Sequence, residues 1–101
     1  MIQSTRPTYI AERVRYCERA AVEAHREVLE QNKSRKRAAA EASSIAYMNS
    51  LPGMETPEET QAFIACVARG AGLGVISAGD ASRLLYAAQC AIANRKDCAA
   101  A

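Results

Sequence analysis

Four positive charges fall within five consecutive residues, Lys33-Ser34-Arg35-Lys36-Arg37, with no acidic side chain among them. Cations at that density neutralise phosphates or meet acidic protein surfaces, with an affinity that depends on salt and ignores base sequence. Lys33, Arg35, Lys36 and Arg37 are therefore the candidate partner- or phosphate-binding residues. Elsewhere the charges nearly balance: residues 1–31 carry five basic and five acidic side chains, 38–76 one and four, and 77–101 three and two. The formal net charge of +2 is thus set by this one stretch. On an unbroken helix the four cations would spread around most of the circumference, so they could not all face one duplex backbone.

The other reactive side chains do not combine. His25 is the single histidine and has no acidic or thiol group at ligand spacing, whereas a zinc site needs three or four ligands. Cys17, Cys66, Cys90 and Cys98 contain no Cys-x-x-Cys pair, which suits free thiols in a reducing cytoplasm. Cys66 and Cys90, each in the middle of an expected helix, are expected to face each other as small hydrophobes. The run Gly70-Ala71-Gly72-Leu73-Gly74 lacks the Lys-Ser/Thr pair and preceding strand of a phosphate-binding loop, and reads as a helix end. Residues 63–89 have the outline of a helix–turn–helix, but the connector is too long, and Arg83, Gln89 and Asn94 are few donors for a groove-reading helix. The reading is of no catalytic residue, no cofactor and no metal site: a non-enzymatic chain.

The elements that must position these residues are helical. Apolar or small side chains at Ile10, Val14, Cys17, Ala21, Ala24 and Val28 alternate in steps of four and three, a narrow seam of the kind that pairs two helices. The pattern fails at Gln31 and Arg35, then resumes in register at Ala38, Ala42 and Ile45. Neither Gly nor Pro occurs between Thr8 and Leu51. Both facts favour one helix over 8–50, about 60 Å long, with a break near 32–34 as the alternative. Leu51-Pro52-Gly53 stops it. Thr56-Pro57-Glu58-Glu59 forms a capping box that opens a helix over 57–70, and Ser77-Ala78-Gly79-Asp80 opens another over 78–95. Ile45, Leu73 and Ile92 are counted among the larger core side chains, which are scarce in a chain with one Phe and no Trp.

The expected fold is all-α: one helical domain over 1–101, with the long N-terminal helix packed on a C-terminal helical hairpin. Its seam from Ile10 to Val28 is expected to meet a second copy, making a homo-oligomer. No apolar run approaches the roughly 20 residues of a membrane span, and the start lacks a signal-peptide pattern, so a cytoplasmic location is expected. The leading functional expectation is an interaction protein that binds another macromolecule, most simply a protein, through helix faces. A nucleic-acid-binding accessory factor using the basic cluster is one alternative. Another is an inhibitor of a host nucleic-acid machine, encoded by a phage or mobile element.

Overall fold

The computed structural model describes residues 6–100, with side chains described over 8–94. It is all-α: four helices, with no strand among the described residues. Helix α1 spans Arg6–Gln31, α2 Lys36–Asn49, α3 Pro57–Leu73 and α4 Ala78–Ala100. Of the two expectations for 8–50, the unbroken helix is corrected and the break near 32–34 is found: the chain turns back at Asn32–Arg35 and α2 folds antiparallel onto α1. No glycine is needed for this. The Asn32 side chain does the work that a breaker would do: its Oδ1 accepts from Ser34 N at 3.0 Å and Ser34 Oγ at 2.7 Å. Arg35 N closes the turn on Asn32 O at 3.1 Å. Asn and Ser compete with helix by exactly this kind of local bond.

The fold-back explains the fate of the seam. Cys17 and Ala21 are buried within the chain, and Val14 packs beside them. The seam expected to meet a second copy is thus covered at its centre by the chain's own α2 and α3, because apolar faces of one chain bury each other once the turn brings them together. Ile10, Ala24 and Val28 stay half-buried. On α2 the buried positions are Ala39, Ser43 and Tyr47, one or two residues past the expected Ala38, Ala42 and Ile45. Ile45 is 59% exposed. Small side chains on both faces let α1 and α2 approach closely, and Arg13 Nη2 and Cys17 Sγ both donate to Ser50 O, at 3.1 and 3.3 Å.

The α3 start is capped as expected: Thr56 Oγ1 accepts from Glu59 N at 3.1 Å, and Glu59 Oε1 accepts from Thr56 N at 3.3 Å. Its end differs. Gly70 does not stop the helix, which runs on to Leu73 before Gly74, at φ 82°, caps it in the left-handed region. Gly70 is needed for space: a Cβ there would lie 2.7 Å from Tyr47 Cε1 and from Ile76 Cδ1. Ser77 caps α4, its Oγ accepting from Asp80 N at 3.1 Å. Helix α4 rests chiefly on α3 through Ala81, Leu84, Leu85 and Ala88. At 23 residues against 17, it overhangs its support, and Ile92 is exposed rather than buried. The radius of gyration is accordingly 15.7 Å, above the ~13 Å of a closely packed chain of this length.

The core is one cluster: Cys17, Ala21, Tyr47, Phe63, Cys66, Val67, Ile76, Ala81 and Ala88. Tyr47 is its central wedge, wholly buried, with its hydroxyl donating to Cys66 O at 2.6 Å. Gly70→Ala is expected to lower stability by about 1–3 kcal/mol, because the new methyl must displace Tyr47 or Ile76; a denaturant midpoint equal to that of the unaltered protein would contradict this packing.

Candidate interaction site

The turn that interrupts the seam also gathers the basic residues. Lys33 and Arg35 sit on it, and Lys36 and Arg37 form the first turn of α2. All four are exposed, and none is in an ion pair among the described residues. The cations do not ring an unbroken helix; they crown the end of a two-helix hairpin, where they can address one surface together. The local electrostatics are unusual for a helix start. Arg35 occupies the α2 N-cap with no side-chain capping bond, and the first turn carries no acidic residue. Cations there oppose the helix dipole, whereas α3 and α4 begin with Glu58, Glu59 and Asp80.

A second feature lies on the side of the hairpin. Where α1, α2 and the end of α3 meet, an open groove of about 390 Å³ is lined by Ala21, Val22, Tyr47, Leu73 and Val75, with Glu18 and Arg69 at its rim. Val22 is 63% exposed and Leu73 47%. Leu73, expected in the core, is left outside because α3 runs past Gly70 and carries it to the groove edge. Arg69 Nε donates to Glu18 Oε2 at 2.6 Å, and this bond raises the Arg69 pKa. An exposed pair of this kind adds little to stability because solvent screens it, so its main effect is to fix the rim. More open hollows flank α1, one of them, of about 490 Å³, beside His25, Arg26, Leu29, Glu30 and Lys33. His25 itself is exposed.

The thiols are arranged otherwise than expected. Cys66 faces Cys17, not Cys90: Cys17 and Cys66 are both wholly buried where α1 meets α3, while Cys90 is exposed on α4. The sequence could not show this, because the fold-back of α1 onto α3 decides which thiols meet. Cys98 lies outside the residues whose side chains are described. Burial pushes the Cys66 thiol up to about 12, with the neighbouring Cys17 adding to the rise. Cys17 and Tyr47 are also raised, burial again first. Such groups stay protonated and serve packing rather than nucleophilic attack. Among the described residues no group of three or more His, Cys, Asp or Glu is placed to hold a metal ion, and no helix is long and apolar enough to cross a membrane.

Sequence reasoning missed Tyr47 and Arg13. Tyr47 was one tyrosine among four, and its place follows only from the space over Gly70. Arg13 reaches Ser50 O, a contact set by the hairpin, and stacks 4.8 Å over the ring of Tyr16, its neighbour three residues on in α1. No family model matches the chain, and neither a curated protein nor a solved structure does.

Two outcomes follow. At pH 8 a maleimide should modify Cys90 within the folded protein while Cys17 and Cys66 react only after unfolding; equal rates for all three would contradict their burial. The raised values for Cys17, Cys66 and Tyr47 mean that the folded form holds these protons more tightly than the unfolded chain. For Cys66 that contribution to stability is complete below about pH 9 and is lost as pH rises toward about 12, and the raised Cys17 and Tyr47 act in the same direction. The denaturant midpoint should therefore fall across that range, and a flat profile there would contradict it.

Proposed function

We propose that the chain is a non-enzymatic interaction protein, acting as a homo-oligomer, that binds a protein partner through its helix faces. The observation that carries this reading is the groove beside Glu18 and Arg69, where Val22 and Leu73 stand exposed next to Ala21 and Val75. Exposed apolar side chains gathered in a concave place, rimmed by charge, mark an interaction site more than scattered ones do. The groove suits one apolar helix face or a bulky side chain of the partner, with charges that complement the rim pair. The buried, protonated thiols and the isolated, exposed His25 supply no activated nucleophile or base, which also favours binding over turnover.

A second reading is favoured by a separate observation, the four unpaired cations on the hairpin tip. They suit the phosphates of a nucleic acid, and the fold-back removes the objection that a helix would scatter them.

For the first reading, Val22→Lys with Leu73→Lys should abolish capture of protein partners from a lysate while leaving the helical circular-dichroism spectrum unchanged. Capture that survives both substitutions, or turnover of a substrate by the pure protein, would overturn it. For the second, replacing Lys33, Arg35, Lys36 and Arg37 by Gln should remove low-salt binding to DNA or RNA and flatten its salt dependence by up to about four phosphate contacts. Nucleic-acid binding that is unaltered in this variant would falsify the second reading.

A further inference from the structure

We infer that the α1–α2 hairpin opens at Asn32–Arg35 into one continuous helix, and that two copies of the chain then exchange the segment from α2 to α4 to form a domain-swapped dimer. This deepens the homo-oligomer part of the proposed function and rests on it.

The turn is built from residues that a helix accepts. It contains no Gly and no Pro, and no non-glycine residue among those described has a positive φ. Arg35, at φ −88° and ψ 56°, lies outside the helical region and must rotate on opening. What holds the turn locally is the pair of bonds to Asn32 Oδ1 and the Arg35 N to Asn32 O bond. Against these, the closed form leaves the N–H groups of Lys33, Lys36, Arg37 and Ala38 without a backbone acceptor among the described residues. It also leaves an uncapped α2 start with cations at the positive end of its dipole. In a continuous helix the N–H groups of residues 33–38 would bond the carbonyls of residues 29–34, and that helix start would cease to exist.

The buried faces are compatible with the open form. At about 100° per residue, Cys17, Ala21, Ala39, Ser43 and Tyr47 fall within an arc of about 120° on one helix. Two open chains laid antiparallel therefore place the α1 face of each on the α2 face of the other. Because α3 follows α2, the contacts now made within one chain re-form between copies: Arg13 with Ser50, Tyr47 beside Cys17, and Glu18 with Arg69. No new surface has to be invented, which is the low-cost route to a dimer that a short hinge provides. One term opposes the exchange. The two basic turns meet near the twofold axis, so the cations on Lys33, Arg35, Lys36 and Arg37 of both copies repel. Salt screens this, since the Debye length shrinks from about 10 Å at 0.1 M to about 3 Å at 1 M.

The test is light scattering after gel filtration on three proteins across about 0.1 to 1 M salt. The unaltered chain should show a dimer share that rises with salt. Asn32→Ala with Ser34→Ala removes the local lock and favours helix, so its dimerisation constant should rise by roughly tenfold or more. Inserting Gly-Gly between Lys33 and Ser34 lengthens a loop that the hairpin tolerates but breaks the continuous helix; this protein should be helical by circular dichroism and monomeric. Native mass spectrometry then identifies the contacts. Glu18→Arg alone and Arg69→Glu alone each place like charges together within a chain, but mixing the two restores both pairs only across copies, so heterodimers should exceed random pairing. A dimer that ignores the hinge changes and mixes at random overturns the exchange while leaving a homo-oligomer through another surface. Monomer for all three proteins at every salt overturns both.

Discussion

One side chain joins three of the four helices. Tyr47 projects from α2, fills the space over Gly70 on α3, packs with Cys17 of α1, and donates its hydroxyl to Cys66 O at 2.6 Å. A tyrosine can be buried at little cost only when its hydroxyl finds an acceptor, and the helix carbonyl supplies one in a position that fixes how α2 and α3 cross. The small residues around it have the same origin: Cys17, Ala21, Ser43 and Gly70 are where the helices must come close to surround one large ring. A chain with a single Phe and no Trp depends heavily on such a wedge. Helix α4 is outside this arrangement and is held chiefly by α3, which is why the helical bundle is longer along one axis than along the others.

The same hairpin sets the functional surfaces. Folding α2 back onto α1 uses the apolar seam internally and withdraws its centre from any outside partner. In return it collects Lys33, Arg35, Lys36 and Arg37 at the tip and leaves Val22 and Leu73 beside the Glu18–Arg69 pair. A basic tip and an apolar groove on different parts of one hairpin are separate surfaces with different physics. In the proposed readings, binding at the tip would weaken with salt, whereas binding in the groove would follow apolar area. A polyanion at the tip would also screen the charges that keep two opened hinges apart, so the proposed partner surface and the proposed hinge of association are the same residues.

Much of the fold was legible because its signals are local. The Thr56–Glu59 box, Pro57 and Ser77 mark helix starts through bonds spanning three residues, and they stand where the sequence places them. The interruption at Gln31–Arg37 was visible too, but whether the chain turns there was not. Helix propensity and turn chemistry differ little at Asn32 and Ser34, and the burial of Tyr47 is a long-range term that tips the balance. The same long-range packing moved Ile45 and Leu73 out of the core, made Gly70 a point of close approach, and paired Cys66 with Cys17. At the site, the basic residues could be named from sequence because charge is a property of residue type. The groove could not, since Glu18 and Arg69 are 51 positions apart and meet only through the α1–α3 contact.

The central claim is that α1 and α2 form one apolar face folded back at Asn32–Arg35 and held by Tyr47. The most direct measurement is the distance between labels at positions 12 and 49, attached without thiol chemistry and read on chains diluted into excess unlabelled protein. In the monomer the account predicts the short separation of neighbouring helices, whose axes lie about 8–10 Å apart. A monomer showing instead the roughly 55 Å of an unbroken helix between those positions would contradict it.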